Sequence, residues 1–195
     1  MSLRERRKTE TRRAIVAAAT QLFARPQGYE GTTTREIVEV AGIATGTLFN
    51  YAATKQDVAV LVWQDQVTKA VEVGFAAMAE HENPADALVA LWVPVFEAYA
   101  QDIALGRVVL TSVMFAGDEQ ADLQRFTDRF IADVAVRLAV WSDNPMTAAL
   151  NAFGAYYLTL TTLLAGRFPN VDHASAFFRA MVDDQVRGWK QPNQQ

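Results

Sequence analysis

Residues 42–55 read GIATGTLFNYAATK, crowding Thr45, Gly46, Thr47, Phe49, Asn50, Tyr51 and Lys55 into one short segment. A buried helix would carry Leu and Ala here, and an ordinary surface helix would carry Glu, Lys and Gln. Small, polar and aromatic side chains together suit a surface that meets a partner. Their chemistry fits a nucleic acid duplex. A Thr hydroxyl bonds phosphate, its methyl touches that of thymine, and Asn pairs bidentately with adenine. Gly46 between two threonines permits close approach. A helix starting at Thr45 would add partial positive charge from its N-terminus, favourable near phosphate. The plain counterpart is a small-residue helix packed against another helix in the core.

Which elements turn this segment outward follows from its flanks. Ile15, Ala18, Ala19, Leu22 and Phe23 recur at helical spacing and predict a first helix over about 9–24, ended by Pro26 and Gly28. Thr33 and Glu36 form a capping box, so a helix begins there, with Ile37, Val40 and Ala41 expected inward and Gly42 as its stop. Ile43 and Leu48 anchor a short helix over about 45–51. Thr54 with Asp57 then opens a long helix over about 55–80. Two short helices around a tight glycine turn, with a third across them, make a helix-turn-helix. Such small helices need a shared core, for which Ile15, Leu22, Ile37, Val40, Ile43 and Leu48 are the candidates.

Charge is distributed to match. The whole chain carries −4, but residues 1–56 hold nine of the 18 Lys and Arg against five Glu, leaving +4 there and −8 in the rest. A basic head on an acidic body suits a polyanionic partner, and a solvated basic tail would give the same count. The chain has 195 residues, 51% of them hydrophobic, with no cysteine, no bilayer-length apolar run and no apolar signal core behind MSLRERRKTE. A cytoplasmic, all-α protein is expected, with a helix-turn-helix head over 1–56 and a larger helical domain over 57–195.

In combination, Ala18, Leu22, Phe23, Gly28-Tyr29-x-x-Thr-Thr, Ile37, Ala41-Gly42-Ile43, Thr45-Gly46-Thr47-Leu48-Phe49, Tyr51 and Lys55 resemble the DNA-binding head of the TetR family of bacterial transcriptional regulators. The resemblance spans roughly residues 12–62. It implies a homodimer whose recognition helices enter successive major grooves of a pseudo-palindromic operator, with residues 57–195 as the effector-binding and dimerisation domain. A ligand-responsive repressor released by a small-molecule effector is the expectation that follows. Carried over by position, Thr34 and Arg35 open the supporting helix near the backbone, and Thr45, Gly46, Thr47 and Asn50 face the groove. Phe49, Tyr51 and Lys55 lie where the family contacts phosphates. Three positions depart from the pattern. Ala44 offers no capping hydroxyl, which shifts the expected cap to Thr45; Phe49 lacks a tyrosine's hydroxyl; and Ala52 replaces an aromatic.

Beyond residue 80 the pattern predicts five more helices, one of them carrying Pro94 and an expected kink. Aromatic residues abound there. Core filling accounts for them singly, whereas a group around Trp92, Phe96, Tyr99, Met114, Phe115, Phe126, Phe130 and Tyr156 could line an effector site for a hydrophobic, uncharged or cationic compound. The last two helices, about 145–167 and 172–189, carry Ala148, Ala149, Ala152, Gly154, Ala155, Tyr156, Leu160, Leu163 and Leu164, then Phe177, Phe178, Met181 and Val182. These read either as a two-chain bundle or as packing within one chain.

Catalysis finds little support. His81 and His173 are far apart, Asp118-Glu119 and Asp183-Asp184 are adjacent pairs that diverge from a helix, and Gly42 to Gly46 lacks the rest of a phosphate loop. No metal or cofactor is expected. The rival reading is a helical small-molecule-binding module that does not bind DNA.

Overall fold

A computed structural model describes residues 2–114, 121–187 and 189. Their regular elements are ten α-helices: α1 (Leu3–Phe23), α2 (Gly28–Gly31), α3 (Thr34–Ala41), α4 (Thr45–Phe49), α5 (Lys55–Met78), α6 (Pro84–Ala100), α7 (Ile103–Met114), α8 (Ala121–Leu138), α9 (Pro145–Leu164) and α10 (Val171–Gln185). The fold class read from the sequence is therefore the one observed. The helices gather into two compact units. One holds the chain up to Thr68 together with α7; the other holds Lys69–Gln101 with α8, α9 and α10. Helix α5 runs unbroken through the division.

In the first unit, α1 starts earlier than periodicity suggested. Ser2 and Glu5 form a capping box that carries the helix out to Leu3, so the basic N-terminal residues are helical. Ile15, Ala19 and Leu22 are fully or almost fully buried against α3. Helix α3 opens on its own capping box, where the Thr33 hydroxyl accepts from the Glu36 amide at 3.2 Å. Thr33 hydrogen bonds also hold the Glu36 carboxyl below the usual carboxylate range. Gly42 ends α3 in the left-handed region at φ 65°, a conformation that costs a side-chain-bearing residue about 1–2 kcal/mol.

Two local expectations change. Ile37 and Val38 form the inward face of α3, while Val40 is 44% exposed. Ile37 and Val38 straddle the line toward α1, and Val40, two positions past Val38, has turned away from it. At α4 the cap stays on Ala44 and does not move to Thr45, and no side chain completes it. The short helix is held from below, through Leu48 at 1% exposed and Ala52 at 3%.

The second unit is built on α6, α9 and α10, with α8 against α9. Asn83 caps α6, accepting from Ala85 and Asp86 amides at 2.8 and 3.2 Å. Helix α6 continues across Pro94 to Ala100. Gly74 of α5 has a role that helical periodicity does not reveal: a Cβ there would sit 2.2 Å from the Leu91 carbonyl oxygen, so only hydrogen lets the two backbones touch. The Arg179 guanidinium ties α10 to α6 through Asp86, and to its own next turn through Asp183 at 2.9 Å.

Candidate nucleic-acid interface and ligand site

Leu48 is the inward member of α4, and that fixes the direction of its neighbours. Thr45, Gly46, Phe49 and Asn50 are exposed and Thr47 is half-buried. Nothing lies within 4 Å of where a Gly46 Cβ would be, so that position is open to a partner. Phe49 leaves 55% of its surface uncovered. On α3, Thr34 is half-buried, while Arg35 reaches along the surface to Glu39 at 3.0 Å with its side chain 88% exposed. An ion pair that open is worth little and yields easily to another anion.

Tyr51 and Lys55 are engaged within the head, a feature the sequence did not signal. The Tyr51 hydroxyl donates to the Lys8 carbonyl at 3.2 Å, tying the end of α4 to α1. Lys55 Nζ donates to the Tyr29 and Glu30 carbonyls at 2.9 and 3.2 Å and lies 4.3 Å from the centre of the Tyr29 ring. It thereby neutralises the carbonyl end of α2 and stacks on an aromatic face. Burial, with Asp57 nearby, pushes the Tyr29 phenol up. Two donors of the ammonium are spent on backbone, so Lys55 acts first as a clamp on α2. Lys55→Met is expected to lower the melting temperature by roughly 6–12 °C, since two hydrogen bonds from a charged donor contribute about 3 kcal/mol together at the low end and each kcal/mol is worth about 2–4 °C in a chain of this size. A thermal scan against Arg35→Met, which loses only an exposed pair, checks it.

The aromatic residues of the second unit close on one another. Trp92 stacks on Tyr156 at 3.9 Å between centroids and 13° between planes, Phe130 meets Trp92 edge-on at 4.9 Å, and Phe96 lies 5.7 Å from Tyr156. Tyr156 is buried, which drives its phenol far above the usual tyrosine range, and it shares a hydrogen bond with Tyr99. Phe126 is half-buried at the margin. The Met114 side chain and Phe115 lie outside the described residues. One polar group in the cluster is unsatisfied: the Trp92 indole N–H is buried without an acceptor. A cleft of about 290 Å³ is lined by other residues, among them Trp141, Asn144, Asn151 and Gln185.

Sequence periodicity could not separate contacts between chains from contacts within one. Ala148, Ala149, Ala152, Ala155, Tyr156, Leu160, Leu163, Leu164, Phe178 and Val182 are all buried inside a single chain. They serve the intrachain core and are unavailable to a second copy. The apolar and small residues left outward on α9 include Met146, Leu150, Gly154 and Leu158, with Phe177 on α10.

Residues 15–61, which span the helix-turn-helix and its outward Thr-Gly-Thr face, match the family described as bacterial regulatory proteins, tetR family. The chain carries a TetR-family head. The TetR likeness extends through the fold of the whole chain. A TetR transcriptional regulator from Rhodococcus sp. RHA1 superposes with a TM-score of 0.67 at 20% identity, over 90% of this chain and 97% of that one. A putative TetR-family regulator from Mesorhizobium loti MAFF303099 gives 0.62 at 18%, over 94% and 98%. The fatty acid degradation regulator FadR from Bacillus halodurans gives 0.59 at 17%, over 91% and 98%. No curated relative matches the chain. Residues 15–61 thus form a helix-turn-helix head of this family, and the chain as a whole shares the fold of solved TetR-family regulators. Among the described residues no group of acidic residues and histidines could hold a metal ion.

Proposed function

We infer that the protein is a ligand-responsive repressor that binds a pseudo-palindromic operator as a homodimer and lets go when a small hydrophobic effector binds. The observation that carries the DNA half is the outward face of α4, Thr45, Gly46, Thr47 and Asn50, set over the buried anchor Leu48. Thr34 and Arg35 at the start of α3 are positioned for phosphate oxygens. Thr47 and Asn50 are the base-edge readers, and Phe49 offers an apolar ring to sugars or a thymine methyl. Tyr51 and Lys55 brace the helix and reach phosphate only with the capacity their internal bonds leave.

Dimerisation is supported by the uncovered strip of α9. Leu150, Gly154 and Leu158 follow one another at four-residue steps, both leucines are 51% exposed, and a Cβ at Gly154 would have open space around it. Small and apolar side chains on an open face suit close self-packing about a two-fold axis. The effector half is supported by the unsatisfied Trp92 N–H, which a ligand oxygen acceptor would complete among the rings of Phe96, Tyr99, Phe130 and Tyr156. Ligand would favour one of two states of the dimer, and α5, continuous from Lys55 to Met78, is the element through which heads respond.

Selection of bound fragments from a DNA pool at two salt concentrations tests the reading. It should enrich a two-fold symmetric site whose affinity falls log-linearly as salt rises. No enrichment from ligand-free protein would favour the rival, a small-molecule-binding module. Asn50→Ala is expected to relax preference at one base pair in each half-site and cost about 1–3 kcal/mol in operator affinity. Repeating the selection with that variant checks it, and an unchanged preference would remove Asn50 from the reading surface.

A further inference from the structure

Residues 3–10 of α1 are exposed along their whole length, and the first buried residue of the helix is Ile15. At 1.5 Å per residue, those eight residues form about 12 Å of helix beyond the packed part of the head. The Ser2–Glu5 capping box starts the helix there, so Arg4, Arg6, Arg7 and Lys8 take fixed positions around its axis. With 3.6 residues per turn, Arg4 and Lys8 fall in line with Ile15, Ala19 and Leu22, the stripe that faces the core. Past the edge of the core, the same stripe continues as two cations. Tyr51, just beyond α4, donates its hydroxyl to the Lys8 carbonyl, so this cationic stretch lies alongside the end of the reading helix. Arg6 and Arg13 point the opposite way. None of Arg4, Arg6, Arg7, Lys8 and Arg13 makes an ion pair with a described residue.

We propose that the Arg4–Lys8 face of α1 is a second DNA contact, gripping backbone phosphates that flank the bases read by α4. This rests on the DNA-binding reading above and extends it to residues outside the helix-turn-helix. Two unpaired cations with no apolar companion on their face have little to offer a protein surface. They match the repeating charge of a duplex, about one per 1.7 Å of its axis. Phosphate contacts of this kind fix register and add affinity but carry no base information.

The test compares Arg4→Ala/Lys8→Ala with Arg6→Ala/Arg13→Ala, which removes the same charge from the opposite face. Binding of each protein to its selected site is titrated over a salt series, on duplexes with short and long flanks. Each phosphate contact given up lowers the slope of log affinity against log salt by about 0.9, so Arg4→Ala/Lys8→Ala should lose roughly 2 per head. It should also show no increase in affinity on longer flanks while selecting the same bases. Arg6→Ala/Arg13→Ala should keep both the slope and the flank dependence. Equal slope losses in the two variants would reduce the effect to net charge and overturn the proposal. So would an Arg4→Ala/Lys8→Ala protein with unaltered slope and flank dependence, or one with altered base preference. In those three cases the regulator reading survives, because wild type still binds its site. Wild type that binds no DNA would sink both.

Discussion

Glutamate in place of both Leu150 and Leu158 is expected to give a folded monomer whose affinity for a two-fold symmetric site falls by roughly 10²–10⁴. Each leucine leaves half its surface outside the chain, and the methylene stem of glutamate can keep part of the covered half, so the subunit is expected to stay folded. The neighbouring core residues Ala152, Ala155 and Leu160 stay covered. In the proposed homodimer, however, the strip meets its counterpart across the two-fold axis, so two glutamates per chain would bring four carboxylates together. The cost of desolvating like charges far outweighs the apolar packing that the strip retains. With the dimer lost, two heads no longer share one operator. The second half-site then binds from bulk solution, not at the millimolar effective concentration of a linked head. Light scattering should report a single subunit's mass, and titration on a half-site should be unchanged while that on the full site collapses. A variant that stays dimeric would move the interface elsewhere, with Val136 on α8 and Val140 just beyond it, 72% and 61% exposed, as the next face to test.

The head was legible because its signals are local. Thr33 with Glu36, Gly42, and Thr54 with Asp57 each state a helix start or stop within four residues, and the structure contains all three. The earlier start of α1 was also written locally, as Ser2 and Glu5, but it precedes any apolar periodicity and a pattern search passes over it. The engagement of Lys55 was not legible. Its partners are the carbonyls of Tyr29 and Glu30, brought near only when α2 and α5 meet, and no spacing rule reports a side chain bonding distant backbone. The same holds for α9. Alanine and leucine at helical spacing mark a face that must be covered, and the covering element can belong to the same chain or another. Only the packing of α10 and α8 against α9 decided that most of it is covered from within. Gly74 is the converse case. A lone glycine inside a helix reads as a small defect, until Leu91 of α6 is found where a methyl would go.

Leu48→Ala is expected to abolish operator binding without touching any atom that faces DNA. Helix α4 has five residues, too few to persist unsupported, and Leu48 alone among them is buried. Truncating a buried leucine costs about 2–5 kcal/mol, the range set by how far the surroundings collapse into the space. Helix α3, which packs against α4, is itself held by α1 through the fully buried Ile37, so the surroundings have little freedom to collapse. Ala44 supplies no capping side chain to hold α4 once its anchor is gone. The loss therefore appears as local opening of α4 and the turn before it. Apparent affinity falls with the fraction of heads that remain closed. Amide exchange should show protection lost over residues 43–52 and retained in α9 and α10, whose cores share no residue with this one. Thr47→Ala, on the outer side of the same helix, should keep that protection and alter only which bases are preferred. If Leu48→Ala retained protection across α4, the recognition helix would be held by something other than its buried leucine, and the outward direction assigned to Thr45, Thr47 and Asn50 would lose its physical basis.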